Sequence, residues 1–228
     1  MKIKLLYHTP LWIASKAIRK CYKSERNSDT VPYKVDWANG STADFHLEGE
    51  ILSIGVKDKA LIERIGNQMK HKSTLRHVQY IFECNDVSTK TLLAFTRHSV
   101  GKDISVESTR FTLSKWVHEL SFAKTQNSYV NDCLEEIMEM VAEGVKIGVK
   151  NDDLSMILPQ AYNYSFITTM NIQSLQHLLS MRTPKTAHWD IREFAYAIAE
   201  QIPEEHKYLF QEYIYGTPEY IKANEGIR

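Results

Sequence analysis

Cysteine is scarce in this sequence, and its arrangement excludes a disulfide-stabilised scaffold. Only Cys21, Cys84 and Cys133 occur in 228 residues, they are widely separated, and they form no CxxC pair. Small secreted domains usually hold an even number of closely spaced cysteines, whereas an odd number leaves at least one thiol unpaired. The sequence therefore predicts a reducing, cytoplasmic setting.

An excess of charge of either sign is also missing. Lysine plus arginine and aspartate plus glutamate number 28 each, so the formal net charge at pH 7 is zero. Proteins that bind polynucleotides or anionic membranes usually present a positive field. No apolar run approaches the roughly 20 residues that span a bilayer, and residues 1–20 lack the long apolar stretch of a signal peptide. We expect neither a polynucleotide partner nor a membrane.

Several common catalytic signatures are absent as well. There is no GxGxxG or P-loop, and no GxSxG presents a nucleophilic serine. His71, His77 and Cys84 lack the paired spacing with which four zinc ligands usually converge. These absences argue against a Rossmann site, an NTPase, a serine hydrolase and a bound metal.

The chain does contain interleaved strand and helix patterns, which predict one domain over residues 1–228. Alternation predicts strands in MKIKLLY, HVQYIFEC and the second half of ILPQAYNYSFITTMN. Ser88 is a candidate N-cap for a helix in STKTLLAFTRH, so Arg97 and His98 fall at its C-terminal end. Residues 24–56 lose periodicity and predict a surface insertion, with a hairpin around Gly49. Further helices are predicted in PLWIASKAIRKCY, DKALIERIGNQMKH, SYVNDCLEEIMEMVAEGVKIGVK, IQSLQHLLSMR, TAHWDIREFAYAIAEQ and EEHKYLFQEYIY.

The candidate chemistry is cationic. Hydrogen-bond donors are concentrated in one stretch and recur once downstream, at Arg97, His98, Ser105, Ser108, Arg110 and Arg182. The planar donor fork of arginine suits phosphate oxygens or the carbonyl edge of a pyrimidine, so such residues could hold a nucleotide. Each arginine also has a plain structural interpretation: Arg97 as a helix C-terminal cation, Arg110 as a surface cation and Arg182 as a solvated one. The residues taken singly leave both interpretations open.

Taken in order, these residues resemble the motif of the flavin-dependent thymidylate synthases. That family carries Arg-His-Arg, seven residues and Ser, closing with Ser-x-Arg-Tyr. Here "RHS" at 97–99 is followed by eight residues and "STRF" at 108–111. The segments HTPLWIASKAIRKCY, HKSTLRH, NIQSLQHLLSMR and AHWDIREFA add similarity in the same order. The resemblance thus covers nearly all of the chain except residues 24–56.

The resemblance implies both a fold and a reaction. The fold is an α/β (α+β) domain with a central, mainly antiparallel sheet flanked by long helices, assembled as a homotetramer whose sites lie between subunits. The reaction is methylation of dUMP at C5 to give dTMP, with FAD as cofactor. Methylenetetrahydrofolate is the expected carbon donor and NADPH the expected reductant.

The same resemblance assigns the site residues. Arg182 matches the arginine set against the uracil ring and is the expected catalytic residue, because its charge stabilises negative charge on the pyrimidine. The positions matched to flavin binding are His71, Ser73, Arg97, His98, Ser99, Asn171, Gln173 and His177. The positions matched to nucleotide binding are Arg97, Ser108, Thr109, Arg110 and Arg182.

Several positions depart from the family pattern. Residues that are usually polar, basic or tyrosine are replaced at Ala94, Ser99, Phe111, Ser155 and Gln173. Lys102 and Arg76 are candidates to restore positive charge nearby. Two hypotheses therefore stay open: a flavoenzyme acting on dUMP or another pyrimidine nucleotide, and a paralogue that binds nucleotides or acts structurally without catalysis.

Overall fold

A computed structural model describes residues 1–30 and 54–216. The hairpin predicted around Gly49 lies outside the described residues. The described part divides into two compact units, residues 8–79 on one side and residues 1–7 together with the chain from 80 onwards on the other. The single domain over residues 1–228 stays a prediction. No helix in the described ranges has the length and apolar character needed to span a bilayer.

The strands and helices are bounded as follows. The strands are β1 (Lys2–His8), β2 (Gln79–Ser88), β3 (Lys102–Val106) and β4 (Asn163–Asn171). The helices are α1 (Trp12–Cys21), α2 (Val56–Ile62), α3 (Thr89–Thr96), α4 (Thr109–Thr112), α5 (Ser128–Lys146), α6 (Asn151–Leu154), α7 (Ile172–Arg182) and α8 (Trp189–Glu200). Shorter turns of 3-10 helix are Glu25–Asn27, Lys72–His77, Val117–Glu119, Ser155–Ile157, Glu204–Leu209 and Gln211–Tyr213, and Glu63–Gln68 is a π-helix.

A four-stranded sheet organises the first unit, residues 1–7 and 80 onwards. Its strand order is β1-β2-β4-β3, and β3 pairs antiparallel with β4, with Lys102 opposite Met170. Alternate residues in the first half of β2 are buried, namely Tyr80, Phe82 and Cys84. This alternation is what a strand with one face on the core requires. The sheet and its helices confirm the predicted fold class.

Three phenylalanines fix helix α3 to the sheet of the first unit. The Phe95 ring on α3 stacks on Phe166 of β4 at 5.7 Å between centroids and meets Phe194 of α8 edge-on at 5.2 Å. At the other end of α3, the Ser88 side chain accepts a hydrogen bond from the Thr91 amide, which confirms the predicted N-cap. Aromatic packing and capping together hold the C-terminal end of α3 at a defined place.

The second unit, residues 8–79, is built around a buried carboxylate. Asp58 of α2 is fully buried and forms an ion pair with Arg19 of α1. Its second oxygen accepts hydrogen bonds from Ser28 and Thr30, each at 2.6 Å, and from Ser15 at 3.3 Å. Apolar side chains of α1, α2 and the following turns complete the core: Ala14, Ile18, Ile62, Ile65 and Leu75.

Two predicted helices differ in detail. The segment DKALIERIGNQMKH begins as α2 but continues as a π-helix from Glu63 to Gln68. Gly66 in that turn packs so closely that an added Cβ would lie 2.9 Å from Leu75. The segment EEHKYLFQEYIY forms two 3-10 turns rather than an α-helix. There the buried His206 ring bonds the Tyr80 hydroxyl at 2.7 Å, so tertiary contacts override the helical spacing.

Candidate functional site

Five basic side chains gather where α3 ends, β3 begins and α7 passes, and we call them the cationic cluster. Arg97 is the C-cap residue of α3, and His98 follows it. Lys102 is the first residue of β3. His177 and Arg182 lie on α7. Three elements of the first unit thus supply the cluster, and four of its five members were predicted as site residues.

The central contact of the cluster joins Arg182 to His98. Arg182 donates from Nε to His98 Nε2 at 3.0 Å, and its Nη2 lies 3.5 Å from the Ala94 carbonyl oxygen. The His98 ring is 8% exposed and meets the ring of His177 at 5.3 Å between centroids. The sequence placed Arg182 and His98 in one site, and the structure brings them into contact across 84 residues.

Burial and like charge keep His98 neutral. Burial lowers the pKa of His98 from its usual 6.5 to about 4, and the charges of Arg182, His177 and Lys102 act in the same direction. The pKa of Arg182 is itself lowered, by burial and then by the charge of Arg97. Of the basic groups in the cluster, His98 therefore loses its proton most readily, and this lowers the positive charge of the cluster.

Lys102 turns toward the end of α3, which sequence alone did not establish. Its ammonium donates to the Phe95 carbonyl oxygen at 3.1 Å and lies 4.1 Å from the centre of the Phe95 ring. Burial lowers the pKa of Lys102. Its charge opposes protonation of His98. Ser99, which the resemblance places at the second arginine of the motif, is exposed.

The loop between α3 and β3 is fixed against the start of α7. Gly101 has φ +65, and a Cβ there would overlap the side chain of Asn171. Asn171 donates its amide to the Gly101 carbonyl at 3.2 Å, and its side chain accepts from the Ser174 amide at 2.9 Å. The Ser174 hydroxyl in turn donates to the Val100 carbonyl. Asn171, predicted as a flavin contact, therefore serves as the N-cap of α7 here.

The predicted phosphate anchors lie in a different place. Ser108 precedes α4, which carries Thr109 and Arg110. The Arg110 side chain is 67% exposed and forms an ion pair with Asp152 at 2.8 Å. Asn151 donates to the Arg110 carbonyl at 2.9 Å. Arg110 and Asp152 line an open groove of about 450 Å³.

The predicted site residues of the first unit do not all contact one another. In the described part of the chain, the polar contacts of Arg110 involve Asp152 and Asn151, and none joins it to the cationic cluster. His71 and Ser73 are exposed and lie in the second unit, at the start of the 3-10 turn Lys72–His77. Gln173 lies on the first turn of α7 and is partly buried.

The cationic cluster has no internal counter-charge. Among residues 1–30 and 54–216, no carboxylate forms an ion pair with any of its members. Clustered cations without carboxylates are the usual setting for a phosphate or for an electron-rich carbonyl edge. The chemistry of the cluster fits an anionic nucleotide-like ligand.

The family is decided by comparison with known sequences. Residues 4–206 match the family model described as "Thymidylate synthase complementing protein". The chain belongs to the thymidylate synthase complementing protein family. Within this family, a flavin-dependent thymidylate synthase from Wolinella succinogenes is 32% identical over 222 residues, which are 92% of this chain and 97% of that protein.

Two solved structures share the fold of this chain. Thymidylate synthase X from Helicobacter pylori, crystallised with FAD and dUMP, aligns with a TM-score of 0.76 at 28% identity and covers 94% of this chain and 99% of that chain. The UMP/dUMP methylase PolB from Streptomyces cacaoi aligns with a TM-score of 0.61 at 16% identity, covering 87% of this chain and 88% of that one. The latter likeness concerns the fold alone.

Proposed function

We propose that this protein is a flavin-dependent thymidylate synthase that methylates dUMP at C5 to give dTMP. Methylenetetrahydrofolate is the carbon donor and NADPH the reductant. The observation that carries the proposal is the cationic cluster, in which Arg182 donates to His98 and no carboxylate of residues 1–30 and 54–216 forms an ion pair with it. Family membership supports the same reaction, since the relatives at 32% identity are named flavin-dependent thymidylate synthases.

The residues present fit FAD as the cofactor. FAD, when bound, supplies the hydride-transfer chemistry that reduces the one-carbon unit. The cluster offers cations for its diphosphate, and the buried Nδ1 of His98 is without a partner in the described residues. We propose that flavin is held by His71, Ser73, Arg97, His98, Ser99, Asn171, Gln173 and His177.

Arg182 is the proposed catalytic residue. Its guanidinium stays protonated and presents donors in a fixed plane. Donation to a pyrimidine oxygen stabilises negative charge on the ring as it develops, which makes C5 more nucleophilic without attack by a thiol. None of the three cysteines belongs to the cluster, and all three are free thiols. Free thiols also support the proposed cytoplasmic location.

The separate contacts of Arg110 support a homotetramer with shared sites, in which two subunits complete one site. We propose that Ser108, Thr109 and Arg110 of one subunit hold the phosphate of a nucleotide whose base lies at Arg182 of another subunit. Removing one partner of a desolvated, charge-assisted contact costs about 2–5 kcal/mol. Mixing inactive Arg110→Ala and Arg182→Ala subunits should therefore restore part of the activity, because mixed assemblies contain intact sites. No recovery on mixing, or a monomer by light scattering, would exclude shared sites.

The decisive experiment combines cofactor content with turnover. Freshly purified protein should be yellow and release FAD on denaturation. Incubation with methylenetetrahydrofolate, NADPH and dUMP, UMP, dCMP or CMP, with products identified by mass, should give dTMP from dUMP. Product from another nucleotide would redirect the substrate assignment. Neither flavin nor product with any nucleotide would favour the non-catalytic paralogue.

A further inference from the structure

Helix α8 packs against both α3 and α7, the two helices that end at the cationic cluster. In the first turn of α8, the carboxylate of Asp190 accepts hydrogen bonds from the hydroxyls of Ser88 and Thr91, at the start of α3. Further along α8, the Phe194 ring meets the Phe95 ring near the end of α3. Helix α8 is therefore fixed to α3 at two places.

The hydroxyl of Tyr196 joins α8 to the end of α7. It lies 3.1 Å from the carbonyl oxygen of Thr183, the C-cap residue of α7 that directly follows Arg182. It also lies 2.5 Å from the carbonyl oxygen of Tyr215. A phenol hydroxyl has one proton to donate, so these two carbonyl oxygens share a single donor. Removing the hydroxyl would take that donor from both.

Residues 213–216 close against the same place. The Tyr215 amide donates to the hydroxyl of Thr183 at 2.9 Å, and Thr183 is buried. Gly216 has φ +81, and a Cβ there would lie 3.1 Å from the hydroxyl oxygen of Tyr196. The positive φ and this close approach both favour glycine. The end of α7 is thus held by Tyr196 and by residues 213–216 together.

The side chain of Arg182 makes few contacts of its own. It donates from Nε to His98 Nε2 at 3.0 Å, and its Nη2 lies 3.5 Å from the Ala94 carbonyl oxygen. A contact of 3.5 Å is weak. Among residues 1–30 and 54–216, no carboxylate forms an ion pair with Arg182. The position of the guanidinium therefore depends strongly on the backbone at the end of α7.

We propose that Tyr196 is a positioning residue for Arg182. Its hydroxyl holds the Thr183 peptide to α8, and because α8 is fixed to α3, the guanidinium is kept beside His98. The inference rests on the proposed function for the catalytic role of Arg182, whereas the hydrogen bonds belong to the protein alone. Displacing a catalytic group by about 1 Å can lower a rate by up to about 10²-fold. Because Arg182 stabilises charge that develops in the transition state, the loss should appear in kcat rather than in KM.

A double-mutant cycle tests whether Tyr196 acts through Arg182. Tyr196→Phe removes one hydroxyl and keeps the ring, and we expect kcat with dUMP to fall about tenfold while KM changes less than about twofold. In the Arg182→Met background, the same change should alter kcat less than about twofold, because no guanidinium remains to be positioned. An equal loss in both backgrounds would show that Tyr196 acts through the fold in general, and would overturn the proposal.

Tyr80→Phe is the matched control. It also removes one buried tyrosine hydroxyl from the first unit, the one that bonds the ring of His206. We expect its melting temperature to fall and its kcat to stay within about twofold of wild type. A loss of kcat as large as that of Tyr196→Phe would mean that general destabilisation causes both, and the proposal would fail.

Crystal structures of the wild type and of Tyr196→Phe without ligands separate this inference from the proposed function. We expect the contact between Arg182 Nε and His98 Nε2 in the wild type and its loss in the variant. An unmoved guanidinium in the variant would overturn the inference even if the wild type converts dUMP to dTMP. If the wild type converts no nucleotide, the proposed function fails, and a displaced guanidinium in Tyr196→Phe would still support the positioning of Arg182 by Tyr196.

Discussion

Both units bury ionisable side chains, but the buried charge has its partners in the second unit and lacks a counter-charge in the first. In the second unit, Asp58 is fully buried and receives hydrogen bonds from Arg19, Ser15, Ser28 and Thr30. Burial alone would raise the pKa of Asp58, yet the bonds from Ser28, Thr30 and Arg19 outweigh it and lower the pKa. A buried charge with every partner present is a structural element.

The cationic cluster of the first unit has the opposite balance. Its arginines, Lys102 and the two histidines lie close together, and His98 remains neutral because burial and neighbouring charge oppose its protonation. Such an arrangement is unfavourable in the empty protein and becomes favourable when an anionic ligand enters. Comparing the two sites separates a charge that holds the fold from charges arranged for a ligand.

The largest effect on stability is expected when the buried network around Asp58 is broken. Asp58→Ala leaves the Arg19 guanidinium buried without a counter-charge, which typically costs about 3–5 kcal/mol. Urea denaturation followed by circular dichroism should show this loss of unfolding free energy. The double variant Arg19→Met, Asp58→Leu removes both charges and should recover much of it. A loss below about 1 kcal/mol in Asp58→Ala would mean that the network is not structural.

In the cationic cluster, by contrast, removing a charge should lower activity without lowering stability. Arg182→Met should lower kcat by about 10²–10³, the range seen when one donor to a developing negative charge is removed. The free energy of unfolding should be unchanged or higher, because an unbalanced cation has left the neighbourhood of Arg97 and His98. Thermal melting of apoprotein measures the second effect. A marked fall in melting temperature would assign Arg182 to the fold.

An intermediate effect is expected from pH. Because the pKa of His98 is about 4 in the folded protein and 6.5 ordinarily, the unfolded chain binds a proton between these values that the folded protein does not. Stability should therefore fall as pH drops from about 6.5 to about 4. His98→Gln should show a shallower slope in this window, and an identical slope would contradict a buried neutral His98.

The smallest effect on stability is expected at the exposed ion pair. Arg110 and Asp152 have side chains 67% and 59% exposed, and such pairs usually contribute about 0–1 kcal/mol. Arg110→Ala should thus melt within a few degrees of wild type. Calorimetry should nevertheless show weaker dUMP binding. Unchanged affinity would remove Arg110 from the proposed site.

Local patterns predicted much of the fold. The alternation of β2 and the Ser88 cap depend on neighbouring residues, so the sequence was sufficient for both. The apolar spacing of α1 was less informative, since its buried face includes Ser15 and Arg19 as well as apolar residues. Both side chains donate hydrogen bonds to the carboxylate of Asp58, which lies 39 residues beyond Arg19 in the sequence. Contacts between residues so far apart in the sequence produce no periodic pattern from which they could be predicted.

The site was predictable as a set of residues but not as a geometry. Arg182 and His98 were named together and do meet. Arg110 was named with them, yet within the described chain it pairs with Asp152. The direction of the Lys102 side chain depends on its contacts with the ring and the carbonyl oxygen of Phe95. No pattern in the sequence indicates either contact. Residue type indicates chemistry, while only packing determines which side chains share a place.

The conformation of Gly101 has a consequence for how this site can change during evolution. Because Gly101 has a positive φ and lies against Asn171, any larger residue there would disturb the loop and the cap of α7 together. Moving the loop as a whole is thus a costly route to a new specificity. Replacing single side chains around the loop is less costly, because it leaves the turn at Gly101 and the cap of α7 in place. We therefore expect changes of specificity in this part of the molecule to arise from single side chains, while the conformation of the loop at Gly101 is kept.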